Sequence, residues 1–375
     1  MRLRSVAVLL GLGAAAGVVA LACADDPHRR TPPGKLLGGG GACEAKPGEL
    51  PKPDCDDSSR SCSPSPGCAI DEAKCGSTST CLPLADNHGK SVVDLRMRRL
   101  NIATPAALSS PFIQNTVVGS GIELDAPACA EKGKGLFTWI LEVDKQSGTL
   151  KTGGAPPSKD PLGQGFCFAD FVLGSTHVQP LTAKIEWSGD TFQTIERQNV
   201  NIPIFLSDQL GSAIILPIRD VRVEGVTLSD DGNCIGAFNA AALDPVCMED
   251  RTLCPKWQTA GALGGFITLE EADQVKIRDL NNKSLCAFLS TDSGLTCARD
   301  GAGKIAFKGD YCSTDESAGS CQDSVWLAAT FAASAAKVFD GQGIVEGCSG
   351  TSTAEDAGAE AGLADAGTDA DADAQ

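Results

Sequence analysis

Between Val92 and Ser229 apolar and polar residues alternate in short runs separated by Gly, Pro, Ser and Asp. That is the period of strands with one buried face. In the clearest run Phe137, Trp139, Leu141 and Val143 share one face, and Thr138, Ile140, Glu142 and Asp144 the other. Lys145-Gln146-Ser147-Gly148 then turns the chain into Thr149-Leu150-Lys151, which predicts a hairpin. Leu181, Ala183, Ile185 and Trp187 repeat the alternation, as do Val200, Ile202, Ile204 and Leu206, where Pro203 points to an edge or a bulge. The parity of Val93, Leu95 and Met97 changes before Leu100 and Ile102, placing a bulge near Arg98-Arg99. Adding Ile214 to Ile218 and Val221 to Leu228 gives at least seven strands. The expected core is a β-sandwich or jelly roll over residues 89–229.

The pattern changes twice outside that span. Residues 230–349 read as a disulfide-stapled α+β region, either a separate domain or a lobe on the sandwich. Thr268-x-x-Glu271 is a capping box with Ile267 and Ala272 as its apolar staple, so a helix is expected from Leu269 to about Ile277. A shorter one is expected over Leu285–Leu289, with turns at Asp230-Asp231-Gly232 and Asn281-Asn282. Residues 43–83 hold Cys43, Cys55, Cys62, Cys68, Cys75 and Cys81 with few large apolar neighbours, a small module that must be held by disulfides. The fold class expected for the whole chain is mainly β with a minor α+β part.

The N-terminus carries Arg2 and Arg4, an apolar stretch from Val6 and small residues before Cys23. This is the layout of an export signal over residues 1–22. Ala20-Leu21-Ala22-Cys23 resembles the lipobox of bacterial lipoproteins, a resemblance that implies cleavage before Cys23 and lipidation of its thiol. Ala20 stands where that family usually carries Leu, Val or Ile, and Ala20-x-Ala22 also suits ordinary signal peptidase, which leaves simple secretion as the alternative. Residues 23–42 read as anchor and flexible tether. Ala24, in place of Asp, resembles the signal for outer-membrane delivery. Residues 350–375 hold seven acids and no base, and are expected to be a disordered acidic tail.

Charge and cysteine usage fit a cell-envelope address. The formal net charge of −17 becomes −19 once Arg2 and Arg4 leave with the signal, which disfavours nucleic acid as a partner. Of 17 Cys, Cys23 is assigned to lipid, leaving an even sixteen for disulfides. Beside the six of residues 43–83 these are Cys129, Cys167, Cys234, Cys247, Cys254, Cys286, Cys297, Cys312, Cys321 and Cys348. No Cys-x-x-Cys pair occurs and His28, His88 and His177 are isolated, so zinc is not expected.

The motifs for chemistry are weak. Lys151-Thr152-Gly153 and Ser334-Ala335-Ala336-Lys337 match two elements of serine β-lactamases, but in reversed order. His88 and His177 read as surface histidines without an orienting partner. Asp369-x-Asp371-x-Asp373 lacks the Gly pivot of a calcium loop, and Asp230-Asp231-x-Asn233 reads as a turn. Trp139 and Trp187 are in phase with apolar neighbours and read as core. No catalytic, metal or cofactor-binding residue is therefore assigned and no cofactor is expected. The expected function is that of an envelope-anchored lipoprotein serving as a binding or structural module. Its partners are the membrane, through the anchor, and a protein or polysaccharide of the envelope, met through loops such as 153–165 with its Pro156-Pro157. The alternative is a secreted hydrolase with an unrecognised site.

Overall fold

A computed structural model describes residues 46–53, 84–110, 113–126, 131–238 and 257–348. Cys23, Cys129, Cys247, Cys254, the six cysteines of residues 43–83 and the acidic tail lie outside them.

Strand β1 (Val92–Thr104) pairs with β2 (Thr138–Asp144), which turns through Lys145–Gly148 into β3 (Thr149–Ala155). Gly148 takes φ 65° there, and Asp144 Oδ1 accepts from the backbone N–H groups of Gln146 and Ser147, the local bonding that makes this tetrapeptide a turn. A small hairpin, β4 (Phe171–Leu173) and β5 (Thr176–Val178), stands apart, after which β6 (Leu181–Ser188) returns to pair with β3. Next come β7 (Thr191–Thr194), β8 (Gln198–Ile204), β9 (Ile214–Glu224) and β10 (Val226–Thr227).

β7 pairs with β6 on one side and with β10 on the other, while β8 pairs with β9. Twelve residues separate Phe192 from Ile204, and twelve separate their partners Val226 and Ile214. So β7–β8 and β9–β10 act as two long staves of one hairpin, irregular in the middle, where Ile195–Arg197 and Gly225 interrupt the strands. β11 (Ala262–Thr268) follows beside β9, and β12 (Ser324–Ala335) joins β11 to β1. The pairings of the described residues thus run from β1 around the sheet and back to β1, closing an antiparallel barrel of eight staves in chain order.

The mainly β class with a minor helical part is what the chain adopts. The core expected as a sandwich or jelly roll takes the form of this single curled sheet, whose opposed walls supply the two faces. Two of its staves, β11 and β12, come from the stretch after residue 229.

The alternating residues point where the periodicity placed them. Leu95, Met97, Leu141, Val143, Leu150, Ile185, Val223 and Phe331 form the buried interior, while Thr182, Lys184 and Glu186 face outward on β6. This is the reverse of a membrane-spanning barrel, which is apolar outside. No helix among the described residues is long and apolar enough to cross a membrane. The predicted bulge is present: Met97 faces Ala333, but Arg99 faces Ala332.

One end of the barrel is filled by the lobe between β11 and β12. The capping box is formed, with Thr268 Oγ1 accepting from Glu271 N, and it starts α1 (Leu269–Gln274). This helix stops before the expected Ile277 because Lys276–Ile277 pair with Lys283–Ser284 instead. α2 (Leu285–Leu289) is capped by Ser284. Leu269, Ala272, Leu285 and Leu289 pack on Ile267 and Val325 of the staves. Each of the three leucines contributes about 1.5–3 kcal/mol by leaving water. Cys286–Cys297 and Cys312–Cys321 staple this lobe, and Cys167–Cys348 joins the root of the β4–β5 hairpin to residues after β12. Cys234 is also disulfide-bonded.

Outside the barrel, Leu124, Ile140, Phe166, Phe168 and Ala336 form a second apolar layer. It buries Arg96 completely, and its guanidinium donates to Ile122 O (2.7 Å) and Thr138 Oγ1 (3.2 Å), 5.2 Å above the Phe166 ring. On the far side residues 46–53 lie along the wall: Glu49 O accepts from Trp326 Nε1 at 2.9 Å, and Leu50 packs beside Tyr311.

Candidate functional site

A cavity of about 80 Å³ lies inside the barrel, between the interior apolar cluster around Val143 and the cluster on the lobe side. Its walls come from nearly every stave: Met97, Trp139, Leu141, Leu181, Val200, Val223 and Phe331 supply apolar surface. Alternation puts these side chains inside, because residues two apart along a strand share a face. Two hydroxyls in the wall are already engaged. Thr152 Oγ1 accepts from Trp139 Nε1 (2.7 Å) and donates to Ile140 O (2.9 Å). Thr194 Oγ1 accepts from Val223 N (3.0 Å) and donates to Val223 O (3.3 Å).

Glu196 and Gln198 complete the lining. Both share the parity of Phe192, Val200 and Ile202, so they stand on the inward side of a stave whose other inward residues are mostly apolar. Glu196 is exposed and therefore marks the mouth. Their signal in the sequence is two polar residues in phase with Val200 and Ile202, ahead of the point where the apolar alternation starts.

The mouth adjoins a seam in the wall. β6 begins at Leu181, so beyond that point β3 and β8 face one another without strand pairing. A Cβ on Gly154 would lie 2.4 Å from Pro203 Cγ, and one on Gly153 would lie 3.0 Å from Pro180 Cα, so only glycine permits the approach. Pro203 thus sits at an unpaired edge, as its ring requires. The β4–β5 hairpin lies against this edge through the tilted rings of Phe171 and Phe205 (6.0 Å) and the bond from Asn201 Nδ2 to His177 O (2.9 Å).

The candidate residues of the chemical motifs do not assemble. Thr152 faces the cavity, whereas Ser334 is buried on the other side of the wall and accepts from Arg98 at 3.0 Å, so the two β-lactamase-like elements stay apart. The segment from 153 is not all loop: Gly153, Gly154 and Ala155 finish β3 and are buried. His177, expected to lack an orienting partner, has one, since its Nε2 lies 2.7 Å from Asp170 Oδ1. Both side chains are exposed on the hairpin. Asp231 makes the expected turn: burial opposes its ionisation, but donors from Ser229 and Asn233 hold its carboxyl below the ordinary range.

Two groups place an acid beside two sulfurs, Asp273 with Cys286 and Cys297, and Asp323 with Cys312 and Cys321. In both the sulfurs are joined in disulfides and offer no thiolate to a metal. On the outer wall Asp94 faces Glu142 across β1 and β2. Burial first, and then the Glu142 charge, push the Asp94 carboxyl up to about 6. Comparison with protein-family models, curated proteins and solved structures finds no match.

Proposed function

We propose that this chain is an envelope-anchored lipoprotein acting as a binding module, with the barrel cavity as the seat for a small apolar ligand. One observation carries the reading: the cavity is enclosed by alternating apolar side chains but opens beside exposed Glu196. Barrels of eight strands are either filled by their own side chains or hold one small ligand. Here the lobe fills one end and a cavity remains in the interior.

The lipobox-like Ala20-Leu21-Ala22-Cys23 supports the anchor, and disulfides fit an oxidising compartment outside the cytoplasm. Ala24 supports the outer membrane, with secretion as the alternative. The loops at the barrel ends are the surfaces for a protein or polysaccharide of the envelope. Nucleic acid is disfavoured by the net charge of −17.

The binding reading is tested by titrating the mature protein with alkanes and alkanols of two or three carbons while following the indole N–H resonance of Trp139. Saturable shifts support it, and an unmoved resonance with every probe removes it. Labelled fatty acid tests the anchor: uptake should occur in the wild type and vanish in Cys23→Ser. A second reading, a secreted hydrolase, is favoured by the Asp170–His177 pair alone. Turnover of any ester or glycoside that is lost in His177→Ala would establish it.

A further inference from the structure

We infer that the cavity takes a short-chain primary amine, its alkyl chain among Trp139, Val200 and Phe331 and its ammonium group against Glu196. This rests on the cavity being a binding seat and goes further by naming the ligand class. Its basis is which polar atoms around the cavity remain open. Thr152 and Thr194 spend their hydroxyls on the protein itself. The side chains of Glu196 and Gln198 make no hydrogen bond or ion pair among the described residues; the Gln198 amide can serve a donor and an acceptor alike, so the charge of Glu196 decides the ligand class. Its neighbour Arg197 does not neutralise it, being turned to Glu316 and to Asp220 at 3.7 Å.

No Lys, Arg or His lines the cavity. A carboxylate or phosphate head would therefore meet like charge at the mouth and find no cation. An alcohol would donate one hydrogen bond but leave the carboxylate uncompensated. An ammonium supplies both the charge and the donors while its chain stays in apolar surroundings, the division by which lysine side chains bury a stem and keep a wet head. Size limits the chain: about 80 Å³ is less than the liquid volume of three waters, roughly 30 Å³ each, so only a few carbons fit.

The test uses the mature protein with propylamine, propanol and propionate, reading the Trp139 indole resonance and the dissociation constant of each. Propylamine should bind about fivefold more tightly than propanol, as an ion pair at a partly wet mouth allows, and propionate should bind more weakly than either. The amine preference should shrink at high salt and disappear in Glu196→Gln, where propanol, which can still donate to the amide oxygen, should lose less than propylamine. Equal binding of amine and alcohol would overturn the amine assignment and leave the binding seat standing. Binding of none of the three overturns both. A preference that survives in Glu196→Gln removes Glu196 from the site.

Discussion

Along β12, β1 and β2 each stave has hydrogen-bonded neighbours on both sides and a second apolar layer behind it, whereas β3 and β8 meet only where Pro203 fills the space over Gly154. The two regions belong to one barrel and are held by different physics. The wall is fixed by ladders that satisfy its backbone and by a buried cation that ties it to the outer layer. The seam is fixed by shape, with glycines and prolines that exclude both side chains and ladder bonds. The cavity mouth at Glu196 and Gln198 adjoins the seam, where no ladder bond has to break for the wall to part.

The wall is most vulnerable at Arg96. Arg96→Ala removes the donor that serves Ile122 O and Thr138 inside the protein and leaves a void beneath Phe166. It should lower stability by about 3–5 kcal/mol. A loss under about 1 kcal/mol in urea unfolding would mean that the outer layer does not depend on this cation.

At the seam the expected effect is smaller and local. Gly154→Val places atoms where Pro203 Cγ and Cδ now lie and should cost about 1–3 kcal/mol by overpacking. Hydrogen exchange should quicken in β8 and in the β4–β5 hairpin, with β1 and β12 unchanged. Uniform quickening across all the staves would show that seam and wall open as one unit.

The smallest effect sharpens the picture of the wall. Asp94 Oδ1 is buried with no hydrogen-bond donor, and its carboxyl titrates near 6 in the folded protein against about 3.8 ordinarily. The folded state therefore holds the proton more tightly. Asp94 supports the fold fully below its unfolded value, and that support is lost as the pH rises through about 6. Asp94→Asn should gain about 1 kcal/mol at pH 7, discounted for the partial exposure of the site, and nothing at pH 4. An equal gain at both pH values would assign the effect to something other than titration.

Legibility in the sequence followed the same division. Staves with one wet face, such as β2 and β6, alternate cleanly and were readable residue by residue. β12 was not, because Val325 to Ala335 is buried on both faces and rich in alanine, so it shows no alternation and carries helix-favouring composition. β11 was hidden by Gly264 and Gly265, which leave room for Leu50 and for the Arg219 carbonyl and weaken any strand signal. The capping box at Thr268 and the bulge near Arg98 are local chemistry and were visible. The cavity was not, because it exists only once eight distant segments are curled together. Glu196 drew no notice because nothing in a single strand distinguishes an inward acid from an outward one.

The last stave also sets the order of events in making the protein. β1 finds its second partner only in β12, more than 200 residues later, as in the bond from Arg98 to Ser334 at a separation of 236. Until Ala335 has emerged, the first strand is an open edge and the interior has no far wall. Contacts of this range make folding slow. Closure of the barrel is thereby deferred until β12 is in place, whatever the order in which the earlier staves pair.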